Sequence, residues 1–302
     1  LWSFPYKLGL GGGFAFLIVY TILAIVVGYP LMLSEIALGR KTQKAAIEAY
    51  KEADHRFKFN GILQTVVPWF LICFYCTFGG YITKYLFESI QALFVKNAVL
   101  NTGDPGALFG GMIGSVGSSV AWMTGFLILT MVIVFGGVSG GIEKFCKVAM
   151  PALFFLLLAV VIRSCTLPGA GPGLKFLFYP DLTMWKTSFF EVVRLAGGQM
   201  FFSLSLASGC IIAYGSYLGK KENLESNAAI ITVGDSLVAV LAGMAIMPAV
   251  FAFGLKPGGG PGLLFISMTT VFQSMGAAGK IFQLAFWLLV FFAALSSSIG
   301  MM

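Results

Sequence analysis

Seven stretches of this sequence, roughly 14–38, 61–90, 120–135, 148–162, 189–218, 228–254 and 281–302, are apolar almost throughout. A helix needs ~20 such residues to cross a hydrocarbon core of about 30 Å, so the runs are on the scale of a bilayer. Lipid offers no partner to backbone N–H and C=O groups. Runs of this kind must therefore close their hydrogen bonds within a helix, and the alternation that a membrane strand requires is absent. Hydrophobic residues make up 58% of the chain and charged residues only 10%, against about 25% charged in a soluble domain. The pattern excludes an ordinary soluble enzyme and predicts one all-α transmembrane domain over residues 1–302.

The charges set an orientation. The formal net charge is +7, but the Lys and Arg residues lie between the apolar runs rather than along one amphipathic face, which argues against a nucleic-acid surface. Ten of them fall in three alternate connections: 39–60 (Arg40, Lys41, Lys44, Lys51, Arg56, Lys58), 136–147 (Lys144, Lys147) and 219–225 (Lys220, Lys221). The positive-inside rule makes these loops cytoplasmic and puts the sparser 97–119, 165–184 and Gly/Pro-rich 255–280 connections on the other side. His55, the one histidine, sits in the longest basic loop and reads as solvated. Cys73-x-x-Cys76 is the only close pair of cysteines and has no histidine or acid beside it, so neither a zinc site nor a disulfide framework is expected. The chain opens at Leu1 without a basic n-region or signal peptide, and it reads as a piece of a longer protein.

Four features inside the runs bear on chemistry. As one helix, the 30 residues from Phe189 to Leu218 would reach about 45 Å, well beyond the hydrocarbon. Gly197-Gly198 and Ser203-Leu204-Ser205-Leu206-Ala207-Ser208-Gly209 are where it can unwind against a protein cavity, though a close helix crossing through small residues fits as well. Glu35 and Asp235 are the intramembrane acids, and each must find partners, a proton or a cation. Glu35 lies in the last turn before a basic loop and reads as structural; Asp235 lies inside its run and reads as cation-linked. Ser296, Ser297 and Ser298 are about 100° apart around a helix, so at most two face one site; their hydroxyls either ligate a hard cation or bond back to carbonyls of the preceding turn. No nucleophile with a base, histidine cluster or phosphate loop is present, and Thr232 stands where an intramembrane aspartyl protease needs the first glycine of Gly-x-Gly-Asp, so no enzyme is expected.

Several segments, in order along the chain, share a likeness: Trp2-Ser3-Phe4-Pro5-Tyr6, Gly11-Gly12-Gly13-Phe14-Ala15-Phe16, Pro30-Leu31-Met32-x-x-Glu35-x-Ala37-Leu38-Gly39, Gly198-Gln199-Met200-Phe201-Phe202-Ser203-Leu204-Ser205-Leu206 and Phe292-Ala293-Ala294-Leu295-Ser296-Ser297-Ser298. Together they resemble the bacterial branch of the neurotransmitter:sodium symporter family. The resemblance implies an inverted-repeat transporter fold with discontinuous helices, present here from the second half of the first helix to the eighth. It also implies a sodium-coupled symporter of amino acids working by alternating access in the bacterial inner membrane.

By matching motif, Ser203 is implied at one sodium site, with Asp235 either ligating that ion or acting one shell away, and Ala293 (through its carbonyl), Ser296 and Ser297 at a second. Leu71, Tyr75, Phe202, Ser205, Ser208 and Ser297 are implied in the substrate pocket. Relatives often carry a bulky residue where this chain has Ser208, which favours larger apolar or aromatic amino acids. Tyr20, Gln199, Ser203 and Asp235 match the neighbourhood in which chloride-dependent relatives hold an anion; a fixed carboxylate there implies that chloride is not required. Two departures concern closure: Ser3 replaces the family's outer-gate arginine, and Arg194 either takes its place or pairs with Glu191 on its own helix. Gly141 and Pro151 match a motif whose local unwinding admits water to the second sodium site. The rival readings are a solute sensor on the same scaffold, which binds without transport, and a proton-coupled transporter using Asp235.

Overall fold

The computed structural model describes residues 3–95, 98–137, 141–219, 221–257, 260 and 262–302. Leu1, Trp2, Asn97, Lys220, Gly258, Gly259 and Pro261, which figure in the sequence reading, lie outside the described residues. Among the described residues every regular element is helical. A short helix α1 (Ser3–Leu10) turns sharply into α2 (Phe14–Thr42). The turn needs the glycines: Gly12 and Gly13 have φ of 80° and 60°, and a Cβ on Gly13 would meet the Phe176 carbonyl oxygen at 2.2 Å. Within α2, residues Ala24–Gly28 form a π-helical turn. Pro30, with no N–H and a ring that crowds the preceding turn, accounts for it.

The chain continues through α3 (Ala46–Ala53), the long α4 (Lys58–Phe94), and two short helices, α5 (Val99–Thr102) and α6 (Pro105–Gly114). Next come α7 (Val116–Phe135), α8 (Glu143–Cys165) and α9 (Gly171–Phe178). The helix α10 (Thr183–Ser203) kinks at Ser188 (φ −149°, ψ 47°), and α11 (Cys210–Ser216) follows it after a break. Last are α12 (Leu224–Ala252), a π-helical turn Leu263–Ser267, α13 (Met268–Ser274) and α14 (Ala277–Met301). Six helical segments among the described residues are long and apolar enough to cross a membrane, comprising α2, α4 with the single turn before it, α7, α8, α12 and α14. The remaining apolar run, 189–218, is divided between α10 and α11.

Helix α14 packs on α4, α8 and α7, while α12 packs on α8, α9, α2 and α1. The half-helix α11 lies along the far part of α2. Glycine permits that approach, since a Cβ on Gly39 would stand 2.0 Å from the Ile212 carbonyl oxygen. At the same end of the molecule the Arg40 guanidinium donates to the Glu222 carbonyl at 2.6 Å, which joins the basic connections 39–60 and 219–225. His55 is exposed, and the five cysteines are free. The 255–280 stretch, read from sequence as a connection, is partly helical and buried. Phe265 lies within 5.0 to 5.3 Å, centroid to centroid, of Phe78, Tyr85, Phe109 and Trp287, an aromatic cup drawn from α4, α6 and α14.

Candidate functional site

The break between α10 and α11 organises the site. Ser205, Ala207 and Gly209 have φ of 53°, 56° and 72°, so three residues of a six-residue stretch stand in the left-handed region, where a Cβ costs roughly 1–2 kcal/mol per residue. The α-helical ladder therefore cannot continue, and its polar groups take other partners. The Leu206 N–H donates to the Phe201 carbonyl at 3.1 Å, and the Ser208 hydroxyl donates to the Ser205 carbonyl at 2.5 Å. The Ala207 N–H donates to Glu35 Oε1 at 2.9 Å. Glu35 is only 7% exposed, and this acid reaches from α2 to accept from an otherwise unmatched donor of the unwound segment.

Beside the break lies a cavity of about 480 Å³, within the range of small-molecule sites. Its walls bring together Leu71 and Tyr75 from α4, Gln199, Phe202 and Ser203 from α10, Ser205 and Ser208 from the break, Asp235 from α12, and Ser296 and Ser297 from α14. Ser3 also reaches it. Ala293 is on the wall of a second, small cavity of about 50 Å³, which shares Tyr75 and Ser297 with the first. Four separate apolar runs thus converge on one space. Asp235 is the only charged side chain among the described lining residues.

Asp235 is held by two donors. The Tyr20 hydroxyl reaches its Oδ2 at 3.0 Å, and the Ser203 hydroxyl lies 2.7 Å from Oδ2 and 2.9 Å from Oδ1. Gln199 stands one turn before Ser203 and spends its carbonyl on the Ser3 hydroxyl at 2.8 Å. Of the three consecutive serines, Ser296 and Ser297 face the cavity. Ser298 is buried against α7, its hydroxyl 3.0 Å from that of Thr130. The Ser296 hydroxyl donates to the Ala293 carbonyl at 3.1 Å, so the pair that the resemblance assigns to one cation is joined directly in this state. Hydroxyls with one carboxylate make an all-oxygen donor set suited to a hard cation. No three of His, Cys, Asp and Glu converge among the described residues.

Other residues singled out in the sequence lie away from the cavity. Arg194 pairs with Glu191 through two hydrogen bonds of 2.8 and 2.5 Å at an exposed position, so the same-helix alternative is the one realised. Gly141 abuts the end of α7, where a Cβ would stand 2.0 Å from the Ile133 carbonyl oxygen; Pro151 lies inside α8. One residue escaped the sequence reading: Lys7 of α1 places its ammonium 5.6 Å from the centroid of the Phe202 ring. Its signal was weak, one cation in a motif whose interest lay in Ser3.

A bundle of bilayer-length helices with one helix broken beside a polar cavity defines an integral multi-pass membrane protein of the discontinuous-helix transporter fold. The sequence profile of the sodium:neurotransmitter symporter family matches residues 1–97 and 94–302, and the chain belongs to that family. It is 37% identical to the uncharacterized sodium-dependent transporter YhdH of Bacillus subtilis (strain 168) over 306 residues, covering 100% of this chain and 66% of that one. An uncharacterized sodium-dependent transporter of Haemophilus influenzae is 34% identical, with 99% of this chain and 66% of the relative covered. The crystal structure of MhsT in complex with L-phenylalanine superposes with a TM-score of 0.91 at 37% identity, covering all of this chain and 67% of MhsT. The chain thus spans about two-thirds of the length of the relatives it matches. Both of these relatives are described as sodium-dependent transporters.

Proposed function

We propose that the full-length protein is a sodium-coupled symporter of amino acids, with larger apolar and aromatic ones preferred, working by alternating access in a bacterial inner membrane. Residues 1–302 form one transporter domain, with loops 39–60, 136–147 and 219–225 on the cytoplasmic side. The observation that carries the reading is the lone carboxylate of Asp235 among hydroxyls on the wall of a cavity flanked by an unwound helix. A single fixed negative charge with oxygen neighbours attracts a hard cation, and the room beside it accommodates an organic solute.

In this reading Ser203 and Asp235 serve one sodium ion, and Ala293, Ser296 and Ser297 serve a second. Leu71, Tyr75, Phe202, Ser205, Ser208 and Ser297 enclose the substrate, with the Tyr75 phenol meeting its carboxylate and Phe202 closing over it. Asp235, beside Tyr20 and Gln199, supplies the negative charge that chloride supplies elsewhere, so chloride is not required. The phenylalanine in the MhsT crystal structure supports the choice of substrate class. The test is uptake of labelled phenylalanine by the full-length protein in proteoliposomes. An inward sodium gradient is expected to drive it with chloride absent, and an imposed pH gradient without sodium is not. Uptake driven by the pH gradient alone favours proton coupling, while sodium-dependent binding without uptake favours a sensor.

The side-chain preference has its own test. Ser208 is buried on the cavity wall, so Ser208→Phe fills the space in which a large side chain would lie. Phenylalanine uptake is expected to fall by about tenfold or more while alanine uptake survives, since one misfitting methylene already costs about 10- to 200-fold. Equal loss for both amino acids would place the substrate side chain elsewhere.

A further inference from the structure

We propose that Lys7 is a positioning residue for closure of the cavity: its ammonium, lying on the Phe202 ring, holds that ring shut over the bound amino acid. The inference rests on the symporter reading and adds a residue to it.

Helices α1 and α10 are clasped at two levels. Ser3 and Lys7 are four residues apart and share a face of α1; Gln199 and Phe202 are three apart and share a face of α10. The Ser3 hydroxyl donates to the Gln199 side-chain carbonyl at 2.8 Å, and one turn further along the Lys7 ammonium lies over the Phe202 ring, at 5.6 Å from Nζ to centroid. That distance is within the ~6 Å over which a ring quadrupole holds a cation. The Phe202 ring also approaches the Tyr75 ring at 6.3 Å, and both rings line the cavity. Phe202 thus joins the cation to the chamber.

No ion pair formed by the described residues includes Lys7. Arg194, the nearby cation, commits its guanidinium to Glu191. Lys7 is half-buried, and a half-buried ammonium without a carboxylate gains most from an aromatic face. The clasp also lies on the side of the break away from the Arg40–Glu222 contact that joins the basic loops. A solute leaving past Phe202 on this side must turn the ring and break the contact with Lys7.

The experiment measures dissociation of labelled phenylalanine from the full-length protein in detergent with sodium present, after dilution into unlabelled ligand. Lys7→Gln is expected to speed release by about two- to thirtyfold, the range set by a cation–π contact. Lys7→Arg is expected to keep the slow rate, because a guanidinium also sits on a ring face. In a Phe202→Leu background, Lys7→Gln is expected to add nothing further. A wild-type rate in Lys7→Gln, a fast rate in Lys7→Arg, or a full effect that persists without the Phe202 ring overturns the proposal.

A second measurement needs no variant. Reductive methylation of Lys7, followed by peptide mass spectrometry, is expected to slow when phenylalanine and sodium are bound; an unchanged rate also overturns the proposal. Failure of the wild-type protein to bind phenylalanine with sodium strikes at the symporter reading, and closure by Lys7 falls with it.

Discussion

Asp235→Asn in the full-length protein is expected to raise the sodium concentration needed for half-maximal phenylalanine uptake and to cut chloride-free uptake by about ten- to a hundredfold. The magnitude follows from the loss of a hydrogen-bonded charge in a sheltered site, about 1.5–3 kcal/mol. The mechanism is electrostatic. The Tyr20 and Ser203 hydroxyls both point donors at this side chain, an arrangement that suits a carboxylate and opposes the NH₂ group of an amide. The described lining residues hold no other charge to balance a cation. The shorter Asp235→Ser leaves room for an anion, so its uptake is expected to recover when chloride is supplied, whereas the wild type is expected to be indifferent to chloride. An active Asp235→Asn protein with unchanged chloride independence removes the assignment.

Glu35→Ala is expected to abolish most transport by a different route. Glu35 is not among the residues that line the cavity; it satisfies the Ala207 N–H at the centre of the break. Without it the part-buried Ala207 N–H loses its acceptor, at a cost of about 0.5–1.5 kcal/mol. The left-handed residues Ser205 and Ala207 also lose the contact that anchors them. The expected readouts are a lower midpoint of thermal unfolding and a drop in uptake of about tenfold or more, because the hydroxyls and carbonyls of the unwound segment lose their placement. Glu35→Gln keeps an acceptor and is expected to recover most of both. Wild-type unfolding and uptake in Glu35→Ala would mean that the break is held by other contacts.

How far the sequence could be read differs from element to element. Bilayer-length apolar runs made the helical membrane architecture legible, because backbone satisfaction in lipid leaves so few alternatives. Length did not locate the break. The 61–90 run is as long as the 189–218 run, yet it stays helical within α4 straight through Pro68. The difference lies in Ser203–Gly209, with its small residues and left-handed backbone, and in Glu35, which is distant in sequence and whose bond to Ala207 no local pattern announces.

The motifs named residues that line one cavity, Leu71, Tyr75, Phe202, Ser205, Ser208 and Ser297 among them, but motifs do not report pairings. The bond between Ser3 and Gln199, the exposed pairing of Arg194 with Glu191 and the contact of Lys7 with Phe202 depend on how α1 and α10 are turned towards each other. The burial of Phe265 was hidden for another reason. Glycine and proline on the N-terminal side of its short apolar helices read as loop, and its partners come from α4, α6 and α14.

The account stands on sodium and an amino acid sharing one set of walls, with Ser297 on both the large and the small cavity. The most direct measurement is equilibrium binding of labelled phenylalanine to the full-length protein across a sodium titration, paired with sodium binding across a phenylalanine titration. The account predicts that each ligand tightens the other by the same factor, about 5- to 150-fold, and that Ser297→Ala shrinks both effects together. Phenylalanine affinity that is unchanged from sodium-free buffer to saturating sodium would contradict it.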